Sequence, residues 1–263
     1  MTQTADWQRR FGGIAKLYGD AGLAIFNQSH ICVIGVGGVG SWAVEALARS
    51  GIGEITMIDM DVVSESNINR QLPAMSSTLG KDKTLVLKER VAEINPECQV
   101  NIIDDFVTIE NIADLINVSM SFVIDCIDSS RVKAALICYC RRQKINIITL
   151  GGAGGKIDPS RIYLSDLSQT KQDPLLSTTR RLLRQKYSFS TNLKRRFSVP
   201  AIYSDELQRY ATDEGSFSFD KPSGADMSLS CAGGLGSCMM VTTSFALRAV
   251  SVVLTKLAAK VGP

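Results

Sequence analysis

The sequence contains no C-x-x-C pair, although it has seven cysteines: Cys32, Cys98, Cys126, Cys138, Cys140, Cys231 and Cys238. Most of them stand in apolar runs. A zinc ribbon is thereby excluded and a secreted disulfide framework gains no support, so a reducing compartment, the cytoplasm, is expected, and no zinc. The opening stretch MTQTADWQRRFGG has no apolar segment behind its charges, which speaks against a secretory signal. Histidine is almost missing: His30, the only one, opens an apolar run and reads as a strand-end residue rather than a base. Trp7 and Trp42 carry no usable signal, and there is no internal repeat and no coiled-coil heptad.

Two stretches lack charge of one kind or of both. Between Pro174 and Ser204 there is no Asp or Glu, but there are seven cations: Arg180, Arg181, Arg184, Lys186, Lys194, Arg195 and Arg196. In a chain of net charge only +3 such a block makes a local field that favours polyanions; a solvated loop is the plainer alternative. From Met227 to Leu247 no group ionises except Cys231 and Cys238. The length approaches the ~20 residues that cross a bilayer. Its first half is Gly/Ser-rich, however, and its continuation to Ala259 takes in Arg248 and Lys256, so a buried C-terminal helix is expected instead of a membrane span.

What is present is an alternation. HICVIG (30–35) reads as a strand, VGGVG as a turn, SWAVEALARSG (41–51) as a helix stopped by Gly51, and EITMID (54–59) as a second strand. A helix is expected over 80–96, ending before Pro96, a strand over 98–104, a short helix in NIADLINV, and a strand over 121–128. A further helix (130–144) and strand (145–152) follow. This pattern predicts a Rossmann-like, doubly wound α/β fold, its mostly parallel sheet covered by helices on both faces, with ligands at the carboxyl ends of the strands. After Gly154 the rhythm breaks: an edge strand with a turn at Asp158-Pro159 is expected, then, over 170–225, a basic insertion without clear period. The divisions are 1–29 as an N-terminal helical segment, 30–155 as the nucleotide-binding domain, and 156–263 as an insertion with a C-terminal strand and helix completing the fold.

GVGGVG places Gly35, Gly37, Gly38 and Gly40 between a strand and a helix, where the backbone can approach a phosphate and the helix N-terminus offers free N–H groups. Asp59, near Asp61 at the end of the second strand, is placed to bind a ribose hydroxyl. So far NAD and ATP are served equally. SESNINRQ (64–71) separates them, because a nicotinamide has no use for Asn67, Arg70 and Gln71, whereas a triphosphate does. Arg70 can fork onto phosphate oxygens, Lys83 can add a point charge, and Asp128 can hold magnesium beside phosphate oxygens. Singly, Arg70 could cap a helix, Lys83 could be solvated and Asp128 could cap the helix at 130. Jointly, at successive strand ends, they point to phosphate chemistry.

The ordered set GxGGxG, DMDVVSESNINRQ, GKDK and DCIDS resembles the ThiF/MoeB/ubiquitin-activating-type adenylating superfamily over residues 5–155. RRFGGIAKLYG, YCRRQKI, GGAGGKIDP and the segment at SCAGG extend the resemblance, more narrowly, to the tRNA threonylcarbamoyladenosine dehydratases over nearly the whole length. The resemblance implies that ATP activates the threonyl carboxylate of the modified adenosine, an internal nucleophile closes a ring, and AMP departs. It further implies ATP and magnesium as cofactors, tRNA as partner, a homodimer, and a connection to a cysteine desulfurase or sulfur-acceptor system. By the same resemblance Asp59 binds ribose, Asn67, Arg70 and Lys83 hold phosphates with Gln71 beside them, and Asp128 takes the metal. The basic block becomes the tRNA-binding segment, with Tyr187 and Phe189 available for stacking.

There are departures. The sulfur-carrier activators hold zinc through two C-x-x-C pairs, which this chain lacks, and that disfavours a ubiquitin-like partner. Their N-terminal segment sends an arginine into the partner subunit's site; laid on that pattern, one such position falls on Gly13 and leaves Arg10 as the catalytic candidate. Cys231 matches a cysteine of the dehydratase pattern and could accept sulfur, or be a small buried residue. Adenylation of a sulfur carrier, an NAD oxidoreductase and a non-enzymatic tRNA or sulfur-relay scaffold stand as alternatives.

Overall fold

The computed structural model describes residues 6–221 and 235–262; Cys231 lies outside them. Helix α1 (Trp7–Asn27), capped by the Asp6 carboxylate on the Arg9 N–H, breaks direction at Gly19, which has φ 76°. Then come β1 (His30–Ile34), α2 (Gly40–Arg49), β2 (Glu54–Ile58), α3 (Lys83–Ile94), β3 (Gln99–Ile103), α4 (Ile112–Leu115) and β4 (Phe122–Asp125). They are followed by α5 (Ser130–Gln143), β5 (Ile147–Leu150), β6 (Ile162–Asp166), α6 (Pro174–Lys186), β7 (Pro200–Ser204), the small hairpin β8 (Tyr210–Ala211) and β9 (Phe217–Ser218), and α7 (Met239–Ala258).

Seven strands form one sheet in the order β3-β2-β1-β4-β5-β7-β6, parallel except for the edge pair β6 and β7. The order runs outward in both directions from β1 and β4, so a crevice opens between their carboxyl ends. Strand alternation feeds two cores. On β1, Ile31 and Val33 pack with α2 and α7 on one face, and Cys32 and Ile34 with α5 on the other.

The expected α/β architecture is therefore the observed one. Strands and helices sit where the periodicity places them, with ends shifted inward by a few residues, and Gly51 at φ 77° stops α2. The expected aperiodic insertion is a correction: Pro174–Lys186 is helical, started by Asp173, whose carboxylate accepts the Leu176 N–H at 2.9 Å, and by Pro174 in the first turn. Pro200–Ser204 is an inner strand between β5 and β6. Residues 156–263 thus contribute two strands to the main sheet. The apolar C-terminal segment is α7, the one helix among the described residues long and apolar enough to cross a membrane. Val241, Phe245, Ala249 and Val253 are buried along its inner face, against α1, α2 and the sheet. Each large side chain so buried contributes about 1.5–3 kcal/mol.

Candidate nucleotide site

The crevice at the β1/β4 switch point is a cleft of about 390 Å³. Its floor is the glycine turn. Gly35 has φ 80°, and a Cβ on Gly40 would stand 1.8 Å from the Gly35 carbonyl oxygen, so the turn closes only with glycine at 40. Ser41 pins it, donating to Gly37 O at 2.6 Å and accepting the Leu72 N–H at 3.3 Å.

Around this floor the structure gathers the candidates named from sequence. Gly35, Gly37, Gly38, Gly40, Asp59, Asp61, Asn67, Arg70, Gln71, Lys83 and Asp128 all line the one cleft. Asp59 is buried, with its carboxylate accepting the Val36 N–H at 2.7 Å and the Asp61 N–H at 2.9 Å. Burial raises its pKa, against the pull of those two N–H groups and of Lys83. Lys83 is the first residue of α3; its ammonium, 5% exposed, lies 2.8 Å from the Asp61 carboxylate. Asn67 is buried in a short 3-10 turn and its side-chain oxygen accepts the Ser64 N–H.

Arg70 lays its aliphatic stem over Gly38 and commits Nη1 to Ser66 O and Asn69 Oδ1, at 2.8 and 2.9 Å. Gln71 is buried with Oε1 lacking any hydrogen-bond partner among the described residues and with Nε2 nearest Gly37.

Asp128 departs from its expected place. Strand β4 ends at Asp125, which is wholly buried, bonded to Lys133 and Thr149, and accepts the Ile127 N–H at 3.1 Å. That bond bends the chain so that Asp128, three residues on, comes out exposed at the cleft rim. Its carboxylate accepts no hydrogen bond within the described residues, which suits a hard cation shared with phosphate oxygens.

Arg10 is a second departure. Within its own chain it is not in the cleft: Nη1 donates to Glu93 O and Ile94 O at 2.8 and 2.7 Å, capping the end of α3. It lines a larger cavity, about 920 Å³ among α1, α3 and residues 72–78, which holds none of the phosphate-binding candidates. Chemistry, not size, singles out the smaller cleft.

The basic block is split by burial. Arg181, Lys186, Lys194, Arg195 and Arg196 are exposed, whereas Arg180 and Arg184 are partly buried. Arg180 bonds Thr170, and burial lowers its pKa. Arg184 lies over the Phe197 ring, 5.1 Å from its centre. Tyr187 and Phe189 are partly buried against the core, Phe189 edge-on to Phe197 at 5.0 Å.

Several contributors escaped the sequence reading. Phe106, half exposed on the loop after β3, overhangs the cleft; Cys126, its thiol pushed up to about 12 by burial, and the Gly151–Gly154 loop line it. The Trp42 indole donates to Arg70 O at 3.0 Å, and Asn69 reaches Ser237 O at 2.8 Å. Phe106, Cys126 and the Gly151–Gly154 loop each follow the carboxyl end of a strand, which was their signal in the sequence; the Trp42 and Asn69 contacts had none.

The ThiF family model matches residues 12–258. The chain is a member of the ThiF family. Within the family it is 52% identical to the tRNA threonylcarbamoyladenosine dehydratase of Haemophilus influenzae, covering 99% of this chain and 97% of that protein. It is 48% identical to the enzyme of the same name from Escherichia coli, covering 97% and 95%. The solved structure of the Escherichia coli tRNA N6-threonylcarbamoyladenosine dehydratase in complex with ATP superposes with a TM-score of 0.86 at 45% identity, covering 99% of this chain and 98% of that one. The matched residues include the glycine turn, Asp59, the Asn67–Gln71 loop, Lys83 and Asp128.

Proposed function

We propose that this protein is an ATP-dependent tRNA threonylcarbamoyladenosine dehydratase that converts the modified adenosine to its cyclic form. The observation that carries the reading is the convergence of Arg70, Lys83 and Asp128 on one glycine-floored cleft. A carboxylate resists nucleophilic attack because its oxygen is a poor leaving group. Attack of the threonyl carboxylate on the α-phosphate of ATP forms an acyl-adenylate and expels pyrophosphate. An internal nucleophile of the same substituent then attacks the acyl carbon, AMP leaves, and the nucleoside has lost the elements of water.

The chain's part is to position and to neutralise charge. The Gly35–Gly40 turn and the start of α2 receive phosphate on backbone N–H groups, and Asp59 binds the ribose. Arg70 offers Nε and Nη2, which have no partner among the described residues, and Lys83 exchanges Asp61 for phosphate. Gln71 accepts a donor. Asp128 would hold magnesium, which would supply neutralisation of phosphate charge. The exposed part of the basic block binds tRNA. We assign the protein to the cytoplasm as a homodimer in which Arg10 serves the partner's site, with any sulfur transfer passing through Cys231.

The test is mass spectrometry of tRNA bearing threonylcarbamoyladenosine after incubation with protein, magnesium and ATP. An ATP-dependent loss of one water, with AMP released, is expected. No mass change would remove the dehydratase reading and direct the search to a sulfur-carrier protein with a free C-terminal glycine.

A further inference from the structure

The cleft leaves the strongest charge feature of the surface unexplained. Helix α5 has 14 residues, so its axis runs about 20 Å from Ser130, beside Asp128, to Gln143. At that far end Arg141, Arg142 and Lys144 are exposed, where the chain turns through Lys144 at φ 58°. Helix α6 packs alongside and also runs away from the cleft. Its N-cap Asp173 accepts the Gly152 N–H at 3.0 Å on the cleft side, and its last turn carries Lys186. The following turn comes back onto α5: Arg141 Nη1 donates to Ser198 O at 3.5 Å, and Lys194, Arg195 and Arg196 are exposed just before it.

Two segments distant in sequence, 141–144 and 186–196, therefore place Arg141, Arg142, Lys144, Lys186, Lys194, Arg195 and Arg196 at one end of the molecule, opposite the cleft. Among the described residues none of these cations lies within ion-pair distance of a carboxylate. Such a face repels itself until counter-charge arrives.

We infer that this end of α5 and the 194–198 turn together bind the phosphates of a paired RNA stem while the cleft holds the reacting nucleoside of the adjoining loop. The inference rests on the reading that the substrate is tRNA. Distance argues for the stem. At 3.4 Å per step along a strand, about 20 Å is roughly six steps from the reacting nucleotide, which carries the strand out of a hairpin loop into its duplex. Chemistry argues for phosphates rather than bases. The aromatic rings nearby are partly buried, Phe189 against Phe197 and Tyr187 against the core, whereas the cations are exposed on flexible stems and make up most of the surface's polar contacts. The α5 residues accordingly add affinity and register without sequence preference.

The test uses the full chain with Arg142→Ala and Lys144→Asn combined. Asparagine tolerates the left-handed backbone at 144, and Arg141 is kept because it holds the turn. Filter binding of unmodified tRNA, which needs no turnover, should weaken about tenfold near 0.15 M salt, and the slope of log affinity against log salt should flatten by about 1 to 2. Binding of a single-stranded oligonucleotide covering only the loop should be unchanged, and Arg142→Lys should restore most of the loss. Unaltered tRNA binding in the double variant, or an equal loss for the single-stranded fragment, would overturn the assignment. If binding shifts as expected but no water is lost from the modified nucleoside, the RNA face stands and the reaction assignment falls.

Discussion

Lys133 Nζ lies 2.8 Å from Asp125 Oδ2, and neither side chain is exposed to solvent. Thr149 donates to the same carboxylate oxygen at 2.7 Å, and Ile127 N–H to the other at 3.1 Å. The pair ties α5 to the end of β4 and fixes the bend that delivers Asp128. Lys133→Met leaves the Asp125 charge buried without a cation and should cost about 3–5 kcal/mol in denaturant unfolding. Combining it with Asp125→Leu should cost less than the two single changes added together. A loss below about 1 kcal/mol with additive double-mutant behaviour would show that the pair is energetically idle.

On the proposed function, Arg70, Lys83 and Asp128 would act on charge that develops in the reaction rather than on the fold: Arg70 and Asp128 sit at the cleft surface, and Lys83 pairs with the half-exposed Asp61. Arg70→Ala, Lys83→Ala and Asp128→Ala should each lower turnover by about 10²–10³-fold or more. Affinity for tRNA, measured by filter binding, should stay within about twofold, because the basic face is untouched. Full activity in both the Arg70 and the Asp128 variants would remove the site.

How far the sequence carried can be judged from two aspartates. The acid at the end of β2 and the acid of DCIDS were both legible, because parallel strands make near-continuous apolar runs and an acid after such a run marks the carboxyl edge. Asp128 was named and does line the cleft, but that β4 ends three residues earlier, at a buried Asp125, was not legible, since that depends on a lysine eight residues on in a helix from the other layer. Helix α6 escaped for a different reason. Its arginines dominate the composition and mask the Leu176, Thr179 and Leu183 stripe that is buried, although Asp173-Pro174 is an N-cap followed by a first-turn proline. Arg10 could be nominated by alignment alone, and what it touches, the last carbonyls of α3, has no trace in local sequence.

Gln71 couples stability to binding. Its side-chain Oε1 is buried with no partner among the described residues, while Nε2 is the atom of the amide nearest Gly37. An unmet buried acceptor costs about 1–3 kcal/mol, which a bound donor recovers. Gln71→Met keeps the volume and removes the acceptor, so the free protein should gain about 1 kcal/mol in unfolding free energy while the KM for ATP rises about tenfold. A variant less stable than the parent, with KM unchanged, would make Gln71 a packing residue only.

Glu45 on α2 accepts from Arg49 Nε at 2.7 Å and from Arg90 of α3 at 2.6 and 2.9 Å. Burial pushes its carboxyl pKa up, but the hydrogen bonds and charges of Arg90 and Arg49 win, and the net displacement is downward. The folded state therefore binds this proton less readily than the unfolded chain. The stabilisation is complete above the unfolded carboxylate value, about 4.3, and is lost as pH falls through the lower folded value. Glu45→Gln should cost about 1–2 kcal/mol in guanidinium unfolding at pH 7, and nearly the same at pH 5.5, because the arginines keep their shape partner but lose its charge. Between pH 4.5 and 3 the gap between parent and variant should close. No gap at pH 7 would mean that the shape of the side chain, and not its ionisation, joins α2 to α3, and a gap that stays constant down to pH 3 would rule out ionisation of Glu45 as its source.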